Sequence, residues 1–155
     1  MNQATNMIGD ILPLENVILD SESASKKRIF ERVGLLFENT RQIARSQVSD
    51  SLFAREKLGS TGLGQGVAIP HGRIKGLRDA VAAFIKTQNP IPFEAPDGQP
   101  VNFFFVLLVP ERATDLHLQL LGELAQIFSN PAFRQRLQTS NDPTEIHRLF
   151  AEWKA

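Results

Sequence analysis

An almost continuous apolar segment at residues 102–109 (NFFFVLLV) constrains the fold of this chain more than any other feature. A strand with one exposed face alternates apolar and polar residues, whereas this segment is apolar or aromatic from Phe103 onward. Such a run is typical of a central strand that is covered on both faces. Pro110 is expected to end it, because proline cannot donate to a sheet ladder.

Apolar spacing on either side of this segment predicts strands, turns and helices. Short strands are expected at residues 17–19, 67–69 and 80–85, with turns at 89–92 and 96–98. Five positions carry helix-start signals, namely Ser25, Ser46, Thr114 or Asp115, Pro131 and Asp142. Helices around a few buried strands predict the α/β class: a single-domain sandwich over residues 1–155, with a mixed β-sheet flanked by helices.

Charge and composition exclude several kinds of function. The chain has 17 Lys and Arg against 17 Asp and Glu, so it lacks the basic surface expected of a nucleic-acid-binding protein. Without cysteine it has no disulfide, no thiolate nucleophile and no Cys-type zinc site. No apolar run approaches the length of a membrane span, and the N-terminus lacks a signal-peptide pattern. We therefore expect a cytoplasmic protein that does not insert into membranes.

A glycine-rich segment followed by a histidine is the most distinctive motif. Residues 59–72 read GSTGLGQGVAIPHG, with four glycines in eight residues before His71. Glycine permits close approach of backbone amides to an anion. The segment thus predicts an imidazole beside a phosphate-binding loop made of Gly62, Gly64, Gln65 and Gly66.

Two other interpretations of the glycines remain open at this point. On composition alone, a glycine-rich segment is as often an ordinary loop as a binding site. A nucleotide loop fits less well, because the Gly-Lys-Ser/Thr ending of NTPase loops is absent. The order of elements is also the reverse of a dinucleotide fingerprint, since a predicted helix precedes the glycines and a strand follows them.

His117 and Arg55 are further candidates for the site. His117 falls in the first turn of a predicted helix, just after the central strand, where α/β proteins often place functional groups. A solvated helix start is the more frequent meaning of that position alone, and a metal site with Asp115 is only weakly indicated. Arg55 either belongs to a solvated charged face or folds back toward His71 to pair with a phosphoryl group. His147, on the last predicted helix, has no comparable surroundings.

Together, these residues resemble a known family. The motifs Arg55-Glu-Lys, Gly59-Ser-Thr and Gly64-Gln-Gly-Val-Ala-Ile-Pro-His71-Gly are similar to the fructose/mannitol-type enzyme IIA of the bacterial phosphotransferase system, and most similar to its nitrogen-regulatory branch. Likeness at residues 14–19, 92–101 and 107–110 extends the resemblance over most of the chain. Gln65 departs from it, since similar sequences have Asn there.

The resemblance implies a fold, a mechanism and partners. The family fold is an α/β sandwich with a mixed sheet. His71 would accept a phosphoryl group from an HPr-like phosphocarrier protein, with Arg55 and His117 supporting the site. No cofactor and no metal are expected, because the donor protein supplies the phosphoryl group. Regulated proteins, such as a sensor kinase or a potassium-transport protein, would be the further partners.

Three functions compete on this basis. The first is a phosphohistidine regulator that controls partners through its phosphorylation state. The second is a sugar-specific IIA relay that passes the phosphoryl group to a IIB domain. The lack of a linker or a cysteine-bearing IIB-like segment favours the regulator. The third, a small-molecule or nucleotide-binding module, is disfavoured by the absent nucleotide motifs.

Overall fold

The computed structural model describes residues 6–112 and 114–154. In chain order its elements are α1 (Met7–Ile11), a 3₁₀ turn (Leu14–Asn16), β1 (Val17–Ser21), α2 (Lys26–Arg41), α3 (Arg45–Glu56), β2 (Gly62–Gly64), β3 (Val67–Ala68), β4 (His71–Ile74), β5 (Val81–Ile91), β6 (Val101–Pro110), α4 (Thr114–Phe128), α5 (Pro131–Thr139) and α6 (Pro143–Ala151).

The six strands form one mixed sheet with β6 at its centre. β6 is antiparallel to β5 on one side, and on the other side it is parallel to both β3 and β4. β1 extends the sheet beyond β5 in parallel, and β2 extends it beyond β3 as an antiparallel hairpin. This mixed sheet with flanking helices confirms the predicted fold class.

Side chains of β6 alternate between two cores, one on each face of the sheet. Phe104, Val106 and Leu108 pack with α2 and α3. Phe103, Phe105 and Leu107 pack on the other face with α1, α4, α5 and α6. Both faces of β6 are therefore buried, which is why residues 103–109 are apolar at every position.

Two helix starts show the predicted caps. The Ser25 hydroxyl accepts a hydrogen bond from the Arg28 amide at 3.2 Å, and the Asp142 carboxylate accepts one from the Thr144 amide at 3.0 Å. Each of these bonds satisfies an amide that has no partner inside its helix. Both predicted starts are confirmed.

The turn predicted at residues 89–92 is not found over residues 89–91, which belong to β5. β5 continues to Ile91, but its register with β6 shifts between Lys86 and Ile91. Pro90 lies in this irregular part of the strand, where the missing amide hydrogen breaks no ladder bond. The turn predicted at residues 96–98 is present, with the Gly98 amide donating to the Ala95 carbonyl at 2.9 Å.

Candidate active site

His71 is the first residue of β4, and β4 sets the direction of its side chain. The strand runs parallel to β6, with His71 opposite Leu107. Because strand residues alternate between faces, His71 and Arg73 project to the same side of the sheet, and Gly72 projects to the other. A Cβ atom at position 72 would overlap the Ser51 hydroxyl, so Gly72 allows α3 to pack directly on β4. The Ser51 hydroxyl also donates to the Arg73 carbonyl at 3.0 Å.

One hydrogen bond fixes the tautomer of His71. Its Nδ1 lies 2.8 Å from the Ile69 carbonyl oxygen. A carbonyl can only accept, so Nδ1 carries the hydrogen and Nε2 keeps its lone pair. Burial lowers the pKa of His71, and the nearby His117 and Arg55 act in the same direction, while the Ile69 bond and Glu56 oppose them. The neutral imidazole, a nucleophile through Nε2, therefore dominates at neutral pH.

His117 lies beside His71. The two ring centroids are 4.9 Å apart, with an angle of 69° between the ring planes. Within the described part of the chain, His117 Nε2 is buried and has no hydrogen-bond partner. Burial lowers the pKa of His117, helped by the charges of Arg73 and Arg55. The site thus contains a second neutral imidazole with one polar atom unsatisfied.

Two arginines complete the site. Arg55, on α3, donates through Nη1 to the Gly59 carbonyl at 2.9 Å. Arg73 donates through Nη1 to the Glu111 carbonyl at 3.0 Å. Backbone carbonyls therefore hold one nitrogen of each guanidinium and leave other N–H groups available. Arg73 is not among the residues predicted from the sequence, because its place on the same side as His71 follows from β4, a strand that the sequence did not predict.

These side chains surround a cavity of about 260 Å³ at the surface. Its walls are the two histidines, the two arginines, and Ser51, Ala54, Leu58 and Gly72. A larger concavity of about 750 Å³ lies between α2 and α3, and its walls contain arginines, glutamates and serines but no histidine. The smaller cavity is therefore the one that combines a nucleophile with cationic groups.

The four residues of the predicted phosphate-binding loop, Gly62, Gly64, Gln65 and Gly66, do not line this cavity. Gly62 and Gly64 belong to β2, and Gln65 and Gly66 form the turn into β3. β3 pairs with β6 at Phe103 and Phe104, whereas His71 pairs with Leu107. Three to four residues of strand separate these positions, about 10–13 Å.

A carboxylate already occupies the glycine turn. Asp97 accepts a hydrogen bond from the Gln65 amide at 3.0 Å and one from the Gln99 amide at 3.1 Å. These bonds lower the pKa of Asp97, so its negative charge stays where a phosphate would have to bind. The four residues expected to cradle phosphate therefore serve the hairpin, and the structure does not bring them to His71.

The remaining predicted features lie elsewhere. His147, on α6, lies 2.8 Å through Nε2 from the Leu12 carbonyl oxygen and does not line the cavity at His71. No group of three or more His, Asp or Glu residues in the described ranges is arranged to hold a metal ion. None of the helices described is long and apolar enough to cross a bilayer.

Comparison with known proteins first defines the class. The family model for the EIIA 2 component of the phosphoenolpyruvate-dependent sugar phosphotransferase system matches residues 10–153. The chain therefore belongs to this family, of the fructose/mannitol type, as its motifs predict.

Within this family, individual relatives show that the chain is similar to the nitrogen-regulatory branch. The crystal structure of nitrogen regulatory protein IIA-Ntr from Neisseria meningitidis is 51% identical, covers 94% of this chain and 100% of that chain, and superposes with a TM-score of 0.90. The nitrogen regulatory protein of Pseudomonas aeruginosa is 36% identical over 87% of this chain and 88% of its own length. The chain is a homologue of these regulatory proteins.

More distant structures share the fold. The crystal structure of the mannitol IIA from Escherichia coli is 20% identical, with a TM-score of 0.76 over 90% of this chain and 98% of that chain. An NMR structure of that IIA in complex with phosphorylated IIB has the same TM-score of 0.76 at 19% identity, with the same coverage of 90% and 98%.

Proposed function

We propose that this protein is a phosphohistidine carrier that regulates other proteins through its phosphorylation state, with His71 accepting the phosphoryl group from an HPr-like protein. The observation that carries this proposal is the bond from His71 Nδ1 to the Ile69 carbonyl, which directs the lone pair of the neutral ring to Nε2. Membership of the IIA family and homology to nitrogen regulatory proteins support it. We place this reaction in the bacterial cytoplasm.

In the transfer step, covalent bonds change only between phosphorus and two imidazoles, that of His71 and that of a phosphohistidine on the donor. The Nε2 lone pair of His71 attacks phosphorus and forms a new N–P bond. The N–P bond in the donor breaks, and its electron pair leaves with the donor imidazole. Since the phosphoryl group arrives on a protein, neither a cofactor nor a metal ion enters the scheme. Positioning and charge stabilisation then supply the catalysis.

The three neighbours of His71 have distinct parts in this scheme. The free N–H groups of Arg55 and Arg73 bind phosphoryl oxygens, which carry charge in the transition state. His117 Nε2, buried without a partner before transfer, gains a phosphoryl oxygen as its partner. Each interaction becomes stronger as the phosphoryl group arrives, as transition-state stabilisation requires.

The direct test is reconstitution with phosphoenolpyruvate, enzyme I and an HPr-like protein. Intact mass should show one acid-labile phosphoryl group, and site mapping should place it on His71. His71→Ala should remain unlabelled. His147→Gln is the matched control, because this histidine lies outside the cavity, and it should be labelled at the wild-type rate. Labelling of His71→Ala at the normal rate, or a label on His117 or His147, would overturn the proposal.

A transport relay is the second candidate. It is favoured by the complex of mannitol IIA with phosphorylated IIB, whose IIA has the same fold as this chain. The greater likeness to nitrogen regulatory proteins favours the regulator. The two functions share the chemistry at His71 and differ in where the phosphoryl group or its signal goes next.

A further inference from the structure

A buried carboxylate lies directly behind the active site. Glu56 is the last residue of α3 and is 9% exposed, although it follows Arg55, which faces the cavity. Its two oxygens accept hydrogen bonds from the Thr61 hydroxyl at 2.7 Å and the Thr61 amide at 3.1 Å. Lys26 Nζ donates to Glu56 at 3.0 Å. Glu56 thus holds the far end of a short turn over residues 59–61.

One path of hydrogen bonds leads from this turn to His71. The Thr61 carbonyl accepts a bond from the Ile69 amide at 3.0 Å. The Ile69 carbonyl in turn accepts the bond from His71 Nδ1 at 2.8 Å. Glu56 therefore anchors Thr61, Thr61 holds the amide of Ile69, and the carbonyl of that same residue, Ile69, sets the tautomer of His71.

A second path leads from the turn to Arg55. The Glu56 carbonyl accepts a bond from the Gly59 amide at 3.1 Å, and the Gly59 carbonyl accepts the bond from Arg55 Nη1 at 2.9 Å. Gly59 has a φ of 148°, and a Cβ atom there would meet nothing within 4 Å. No side chain therefore packs at Gly59, and hydrogen bonds hold the turn: those of Gly59 and Thr61 at its ends, and that of the Ser60 hydroxyl, which donates to the Phe93 carbonyl at 3.0 Å.

We infer that Glu56 is a positioning residue for phosphoryl transfer: through Thr61 it fixes the turn that orients both the His71 ring and the Arg55 guanidinium. This inference rests on the function proposed above. Glu56 does not touch the cavity, and its effect passes through backbone groups.

A purely structural role for Glu56 makes a different prediction. A buried ion pair with Lys26 stabilises the fold or is neutral, and removing one partner destabilises the chain without a specific effect on chemistry. Lys26 also binds Glu94 at 3.2 Å, and the Glu94 side chain is 86% exposed. Glu94→Gln is therefore a matched control, because it removes the same charge beside the same lysine and leaves Thr61 untouched.

Charge and geometry predict opposite effects on the reaction. The Glu56 charge raises the pKa of His71 and thus opposes the neutral form. Replacing Glu56 by Gln should lower that pKa and increase the fraction of nucleophile. A lower rate in folded Glu56→Gln would therefore not be explained by the His71 pKa, and it is the result that lost positioning predicts.

The experiment has two arms. The first uses ¹⁵N NMR of the imidazoles in the unphosphorylated full chain, and so does not depend on any donor protein. Wild type and Glu94→Gln should show His71 as the Nδ1–H tautomer, whereas Glu56→Gln should show a mixture of tautomers. The second arm measures transfer from an HPr-like donor, where Glu56→Gln should be slower by about tenfold or more and Glu94→Gln unchanged.

If Glu56→Gln does not fold, variants of Thr61 test the same hydrogen bond from its other partner. Thr61→Val removes the hydroxyl bond and should mix the tautomers and slow transfer, whereas Thr61→Ser keeps the hydroxyl and should behave as wild type. Wild-type tautomer ratios and rates in folded Glu56→Gln, or in Thr61→Val, would overturn the inference. Failure of the wild type to accept phosphoryl would instead overturn the proposed function, while the NMR arm would still decide the role of Glu56.

Discussion

A single backbone carbonyl, that of Ile69, decides which nitrogen of His71 can react. Because it accepts from Nδ1 at 2.8 Å, it leaves the lone pair on the nitrogen distal to the backbone, which would be the nucleophile under the proposed function. Ile69 lies only two positions before His71 in the chain, and the Thr61 carbonyl holds its amide at 3.0 Å. The Ile69 carbonyl is therefore a positioning group for the His71 ring.

Truncation of the charged and imidazole neighbours should slow transfer without unfolding the protein. Under the proposed function, Arg55→Ala, Arg73→Ala and His117→Ala would each remove one contact to the phosphoryl group. The expected cost is about 1–3 kcal/mol in the transition state, or about 5- to 150-fold in rate. Rapid-quench transfer kinetics measure it, and urea unfolding checks stability. Lys75→Ala is the control, since Lys75 is exposed just beyond β4 and should transfer normally. Three wild-type rates would show that these are ordinary surface residues.

The histidine pair should make stability depend on pH. Burial lowers the pKa of His71 and of His117 below the ordinary value of about 6.5. The unfolded chain then binds protons near pH 6.5 that the folded chain does not bind, so the free energy of unfolding should fall as the pH is lowered from 7.5 toward 5.

Urea denaturation at a series of pH values measures this dependence. His71→Gln and His117→Gln should each reduce its slope, because each removes one group that titrates differently in the folded and unfolded states. Slopes equal to that of the wild type would mean that neither pKa is lowered.

Among the elements, the β2–β3 hairpin shows why its glycines are needed. Gly66 has a φ of 78°, and a Cβ atom there would lie 3.2 Å from Asn102 Oδ1. Gly64 has a φ of 91° and faces the Asp97 carboxylate, which anchors the turn. The glycines thus allow the positive φ angles and the close packing that this tight turn next to β6 requires.

Alanine in place of glycine should have opposite effects in this hairpin and in α4. Gly66→Ala should destabilise the protein by about 1–2 kcal/mol, because alanine is strained at positive φ. Gly122→Ala should stabilise it by about 0.5–1 kcal/mol, since Gly122 lies inside α4 and a Cβ atom there would meet nothing within 4 Å. Urea unfolding measures both. Phosphoryl transfer should be unchanged in both folded variants; a large loss of transfer in Gly66→Ala would restore the glycine segment to the active site.

The elements were predictable where local sequence determines them. Ser25 and Asp142 cap helices within their own segments, and the apolar run at residues 103–109 reports burial on both faces directly. Lys86 was not predictable, because it lies buried in β5 and donates to the carbonyls of Leu137, Gln138 and Ser140, about 50 residues later. Contacts of this kind depend on the packing of α5 against the sheet, which local patterns do not encode.

The site was predictable in part, for the same reason. His71, His117 and Arg55 meet around one cavity, as the sequence predicts. The predicted phosphate-binding loop does not line this cavity, because β3 runs along β6 between the glycine turn and His71. Glu56 was overlooked because it stands in the charged run of residues 55–57, where a solvated face is the usual interpretation, yet it is buried.

At the scale of the whole molecule, phosphorylation should change which proteins bind. The chain has a formal net charge of zero, so adding about two negative charges at His71 changes both the total charge and the charge of one surface. A partner that covers the cavity should therefore distinguish the two forms. Pull-downs with the phosphorylated wild type and with His71→Ala should recover different proteins, such as a sensor kinase or a potassium-transport protein. Recovery of the same proteins, with efficient transfer to a sugar-specific IIB domain, would favour the transport relay.

The burial of His71 also bears on how long a signal would last. The residue is only 7% exposed, within a cavity whose walls come from α3, β4 and α4. Under the proposed function, bulk water would have little access to the N–P bond, and a protein shaped to the cavity would have good access. The phosphoryl group would then be added and removed mainly by other proteins, so the lifetime of the phosphorylated form would depend on their concentrations. The phosphorylated fraction would therefore reflect the recent supply of phosphoryl donors in the cell.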